Sequence, residues 1–183
     1  QDASKTFRFR IAWLPYALLL AITAALYGAS LYYQFVWDDV AYVIRNYRVQ
    51  GFDWMHLRAI WTNTYLGHYA PVQHTYLAAI YEIFGLDPVG FHLGQLLTHS
   101  VVVCLIYRLV DELEQPGVAL AASLLYAVHP TNIETVAWVS ESKSTLSFLF
   151  CLLSFLFFIH MREQFSWGSA IGAGLCLALS LLA

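Results

Sequence analysis

The chain has 183 residues, 60% of them hydrophobic and only 11% charged, with 9 basic and 12 acidic side chains and a net charge of −3. A soluble domain keeps about a quarter of its residues charged, so these side chains cannot cover a water-facing surface and lipid must take over much of it. The same numbers exclude a disordered chain, a coiled coil and, for want of a basic field, a nucleic-acid binder.

A helix needs about 20 apolar residues to cross the hydrocarbon. Five uncharged stretches approach that length, placing spans at about 11–35, 88–108, 115–130, 144–161 and 165–183. Pro130 ends the third near His129. Lys5, Arg8 and Arg10 precede the first span and favour a cytoplasmic N-terminus. Residues 36–87 and the second loop around 130–144 then face outward. The expected architecture is all-α, a polytopic membrane helix bundle forming a single membrane domain over 1–183. The sequence starts at Gln1 and is still apolar at Ala183, so it reads as part of a longer chain.

The outward loop 36–87 is itself rich in aromatic and apolar residues. Stretches 54–61 and 72–84 carry apolar side chains at helical spacing, as helices lying in the membrane interface do. Trp54, Trp61, Tyr65, Tyr69, Tyr76 and Tyr81 suit the headgroup region. A turn at 67–71 separates the two helices, and Gly85-Leu86-Asp87-Pro88 turns the chain into the second span.

Trp37-Asp38-Asp39 places two adjacent carboxylates at the outer mouth of the first span. Neighbouring like charges beside hydrocarbon oppose ionisation of both, which suits one of them to accept a proton from a hydroxyl. The pair equally suits ending the helix in water, and adjacency alone does not choose. On the same outward face lie His129, Glu134 and Lys143. Lys143 is the Lys or Arg of the second outward loop, either a cation for a phosphate or a side chain snorkelling from the start of the fourth span. Arg45, Arg48 and Arg58 are alternative outward cations.

On the second span His92, Gln95 and His99 fall at i, i+3 and i+7, one face turned toward the bundle interior, where interhelical hydrogen bonding is the expected role. Gly168, Ala170, Gly172 and Gly174 form a small-residue seam in the fifth. Cys104, Cys151 and Cys176 lack metal or disulfide spacing and read as packing residues. No Walker loop, nucleophile elbow or zinc signature occurs, so no metal ligand is assigned.

The order Phe35-Val36-Trp37-Asp38-Asp39, Tyr42-Val43, Asn46, Gly67-His68-Tyr69-Ala70-Pro71-Val72-Gln73, Phe84 through Leu93, His129-Pro130, Glu134 and Val136-Ala137-Trp138-Val139-Ser140 resembles a known family. It resembles the N-terminal membrane region of the multispanning O-mannosyltransferase-like proteins that carry tetratricopeptide repeats, which are similar to GT-C glycosyltransferases. The resemblance implies an integral-membrane enzyme that moves a sugar from a polyprenyl-phosphate carrier to a protein hydroxyl on the outward face. It implies a bacterial inner membrane or endoplasmic reticulum setting, membrane lipid and protein partners, and a catalytic or organising role for Asp38 and Asp39. His129, Glu134, Arg45 and Lys143 are the matching substrate-side candidates, and a divalent metal is left open. Two positions depart from the family pattern: Asn132 stands where relatives carry a second histidine, and Ser142-Lys143-Ser144 replaces an Arg-Lys-Asp-like run. The alternative is a non-catalytic subunit of a larger membrane complex built on the same scaffold.

Overall fold

The computed structural model describes residues 13–183. The cluster Lys5, Arg8 and Arg10, and with it the basis for the orientation of the first span, lies outside them. Among the described residues every named element is a helix, and one isolated antiparallel bridge joins Tyr65 and His68. In chain order the α-helices are α1 (Leu14–Tyr27), α2 (Trp54–Thr62), α3 (Pro71–Phe84), α4 (Pro88–Leu113), α5 (Pro116–Ala127), α6 (Asn132–Ala137), α7 (Ser142–Glu163) and α8 (Trp167–Leu181).

Proline placement explains where four of them begin. Pro15, Pro71, Pro88 and Pro116 each sit in a first turn, where the missing N–H has no intrahelical role and the fixed φ is already helical. Pro130 lies in the turn between α5 and α6. Asp87 caps α4 by accepting from the Val89 N–H at 3.0 Å, and Asp53 caps α2 by accepting from Met55 and His56.

Three helical stretches are long and apolar enough to cross a membrane: Leu14–Tyr32, where α1 continues as a 3₁₀ turn, Pro88–Leu113, and Val139–Glu163. The protein is an integral-membrane helix bundle. α5 and α8, with 12 and 15 residues, are shorter apolar helices. They occupy the stretches 115–130 and 165–183 where the sequence predicts spans. Half of the apolar window in α4 is buried, against 22% and 17% for the other two. α4 is therefore the axis, with α1, α3, α5, α6 and α7 packed around it.

α7 and α8 form an antiparallel hairpin. The Ser147 and Ser180 hydroxyls each donate to the other residue's carbonyl, at 2.9 and 2.8 Å, and the Ser154 hydroxyl donates to Ala173 O at 2.8 Å. Of the small-residue seam on α8, Gly172 packs against Phe157, whereas Gly174 meets nothing within 4 Å.

The two helices expected in the first outward loop form as α2 and α3, and they differ in setting. α2 exposes Trp54, Met55, Arg58 and Trp61, as an interfacial helix should. α3 instead buries Val72, Gln73, His74, Leu77, Ala78 and Ile80. A core of Val43, Val49, Ile60, Leu77, Phe91 and Val139 ties this segment to α4 and to the start of α7. At the α3–α4 corner, Gly85 adopts φ +61° and Gly90 lies so close to Phe84 that a Cβ would fall 2.3 Å from its ring.

Candidate functional site

The two adjacent acids part company. Asp39 is 0% exposed and Asp38 is exposed. Trp37, just before them, holds φ +48°, a left-handed conformation uncommon for a non-glycine residue, and its ring meets Trp138 edge-on at 5.4 Å. After it the chain enters a short π-helical turn, Val40–Ile44, with Tyr42 N–H donating to Asp38 O.

Asp39 has every strong bond a buried carboxylate needs. Oδ1 accepts from Ser140 N–H at 2.8 Å and from the Ser140 hydroxyl at 2.6 Å, and Oδ2 accepts from Val36 N–H at 3.2 Å. Gln73, 1% exposed, approaches the same residue from α3: its amide donates to Ser140 O at 2.7 Å and to Ser142 Oγ at 3.2 Å. The second outward loop is thus clamped at Ser140 from two sides.

That clamp fixes the start of α7. Lys143 lies 3.2 Å from Glu141, and the Ser144 hydroxyl donates to the same carboxylate at 2.9 Å. Tyr42 links this group to the acidic pair. Burial raises its phenol above the ordinary value; Lys143 acts against that shift, while Asp38 and Glu141 add to it. Asp38, Glu141 and Lys143 therefore share one electrostatic neighbourhood around a single hydroxyl.

Behind Tyr42 sits an aromatic wall. His74 stacks on Tyr42 at 5.9 Å and meets Tyr65 edge-on at 5.7 Å. His74 Nδ1 bonds Ala70 O at 2.8 Å, so that nitrogen carries the proton. Burial lowers its pKa, the Ala70 bond opposes the shift and Arg48 adds to it. Arg48 itself is spent on the wall, donating to Thr64 O at 2.8 Å and lying 5.6 Å over the Tyr65 ring.

Among the described residues, no hydrogen bond or ion pair joins the other sequence candidates to Asp38, Asp39 or Lys143. His129 is exposed and bonded to Thr131 at 2.6 Å, closing its own turn. Glu134 is exposed on α6, with no bond to Asp38, Asp39 or Lys143 among the described residues. Arg45 is exposed and forms no ion pair there. On α4, His92, Gln95 and His99 are all buried, as their spacing implied; Gln95 donates to Thr135 O and Trp138 O, and His92 lies against the Gln34 backbone. His99 is instead wedged between Tyr27 and Tyr126. Gln73, Ser140, Glu141 and Tyr42 are the residues that spacing did not single out; the signal of Gln73, Ser140 and Tyr42 was confined to the quoted motif order, and Glu141 lies just beyond it. No group of three His, Cys, Asp or Glu gathers among the described residues.

An apolar helix bundle with a loop clamped at Ser140, carrying one buried and one exposed acid, defines the class: a polytopic membrane protein with a polar site at its surface. The chain belongs to the dolichyl-phosphate-mannose-protein mannosyltransferase family, whose sequence profile matches residues 68–183. It is similar to mouse protein O-mannosyl-transferase TMTC2, with 30% identity over 88% of the chain and 21% of that protein. It is also similar to human TMTC1, with 28% identity over 81% of the chain and 18% of that protein, and to human TMTC3, with 27% over 91% and 19%. The chain thus spans about a fifth of the length of these relatives. No solved structure matches it.

Proposed function

We propose that this chain is the site-bearing membrane part of a protein O-glycosyltransferase that uses a polyprenyl-phosphate sugar, with the rim around Asp38 facing outward. The reading rests on the Asp39–Ser140 clamp, which leaves Asp38 solvent-accessible in the same neighbourhood as Lys143. In the transfer, an acceptor hydroxyl attacks the sugar's anomeric carbon, its proton passes to Asp38, and the bond from that carbon to the phosphate oxygen breaks. The polyprenyl phosphate leaves with the bonding pair. A cation near that oxygen stabilises the charge it acquires, which is the role assigned to Lys143. Asp39 orients the two loops and takes no proton. His129, Glu134 and Arg45 remain on the acceptor side of the proposal, at the periphery.

The decisive experiment is transfer of a radiolabelled sugar from its polyprenyl phosphate to an acceptor peptide by Asp38→Asn protein. Loss of transfer with retained fold supports the role; unchanged transfer removes it.

A second reading, a non-catalytic subunit of a membrane complex, draws on Asn132. That side chain is buried and donates to Tyr126 O, a structural use in place of an accessible imidazole. Stable partners that copurify at fixed stoichiometry, with no transfer by the wild-type assembly, would favour it.

A further inference from the structure

The α7–α8 hairpin keeps one register along its length. Near its open end the Ser147 and Ser180 hydroxyls lie 3.2 Å apart, and each donates to the other residue's carbonyl at 2.9 and 2.8 Å. Seven residues along α7, and seven back along α8, the Ser154 hydroxyl donates to Ala173 O at 2.8 Å. Cys151 and Cys176 fall between these levels, four residues from the first and three from the second on both helices. Steps of three and four residues return to the same helix face, so the two cysteines stand at one level on the two facing sides. Both are free and half-buried. Hydroxyls that reach the opposite backbone above and below them hold the axes at the close end of the usual spacing of about 8–10 Å. A disulfide needs Cα atoms about 4.4–6.8 Å apart, a separation that such close packing brings within reach at a shared level.

Cys151 also lines a cavity of about 560 Å³ whose other walls include Lys143, Ser144, Ser147 and Ser180. We propose that Cys151 and Cys176 form a redox-active dithiol, closed into a staple between α7 and α8 by a small disulfide that enters this cavity. The staple is independent of the transfer reading. Cys151, on the cavity wall, meets the reagent first. Its thiol gives its proton to solvent, and the sulfur attacks one sulfur of the incoming disulfide; the S–S bond breaks and the other half leaves as a thiolate that takes up a proton. The Cys176 sulfur, losing its own proton, then attacks the Cys151 sulfur of the mixed disulfide and expels the second half as a thiol. Two electrons pass in all: the protein dithiol is oxidised to a disulfide and the small disulfide is reduced to two thiols. Hydrogen bonds alone hold the reduced hairpin in register, and the staple fixes that register covalently.

The test is incubation of the full-length protein in phosphatidylcholine nanodiscs with hydroxyethyl disulfide, followed by peptic digestion without reduction and mass spectrometry. The expected product is a linked peptide pair joining Cys151 to Cys176, reversed by dithiothreitol and formed equally in Cys104→Ser. Cys176→Ser should halt at the mixed disulfide on Cys151, and Cys151→Ser should leave Cys176 largely unreacted, because nothing then hands the reagent on to it. Dibromobimane, which fluoresces once both of its arms are alkylated, gives a proximity check that needs no oxidation: it should light up the wild type and Cys104→Ser and neither of the other two variants. A mixed disulfide that persists on Cys151 of the wild type, a bridge to Cys104, or an unreactive Cys151 overturns the proposal. Bimane fluorescence with no disulfide overturns the redox step and supports the register.

Discussion

Ser140 gives both its backbone N–H and its hydroxyl to one oxygen of Asp39, 101 residues earlier in the chain. One buried carboxylate thereby ties the segment after α1 to the start of α7. Hydrogen bonds to a charged group stabilise by about 1.5–3 kcal/mol. Ser140→Ala, which keeps the N–H bond and loses the hydroxyl's, should lower stability by about that amount. Asp39→Ala should cost more, because it strands the Ser140 and Val36 donors together. Thermal unfolding in detergent, followed by intrinsic tryptophan fluorescence, measures both.

Asp38 has no such structural duty, so its replacement separates chemistry from fold. Asp38→Asn should leave the unfolding midpoint essentially unchanged, as exposed substitutions do, while lowering sugar transfer by at least about a hundredfold, the typical contribution of a positioned base. A fall in stability matching that of Asp39→Ala would instead make Asp38 a second structural acid.

The α3–α4 corner depends on Gly90. A Cβ there collides with Phe84, so Gly90→Ala should destabilise by about 1–3 kcal/mol, the range for overpacking. Gly117, in the first turn of α5, meets nothing within 4 Å, and Gly117→Ala should be neutral or slightly stabilising. Parallel melting curves of the two variants check the contrast.

His74 predicts a pH dependence. Its folded pKa lies below the ordinary 6.5, so as pH falls through 6.5 the unfolded chain takes up a proton that the folded state resists. Stability is then fully present above about pH 6.5 and is lost as the solution is acidified toward the folded pKa. Protection factors of the α3 amides, exchange rates referred to the intrinsic rate at each pH, should fall below that point in the wild type. His74→Gln should flatten this part of the profile.

Much of the architecture was legible from composition and local chemistry. The scarcity of charge required lipid, and Pro88 marked the start of the second span, because a proline acts through groups within a few residues. Trp37-Asp38-Asp39 was visible as an acidic pair for the same reason. The order of motifs also carried the family, as the match over residues 68–183 shows.

Tertiary structure alone decided what the two acids do. Successive residues in a helical turn point in directions about 100° apart, so one member of an adjacent pair enters the core while the other faces out, and no pattern in the sequence says which. The answer came from Ser140 and Gln73, whose bonds span 101 and 67 residues. It also left His129 bonded to Thr131 and Glu134 exposed on α6. Contacts between distant segments are fixed by how α3, α4 and α7 pack, and packing leaves no periodic trace along the chain.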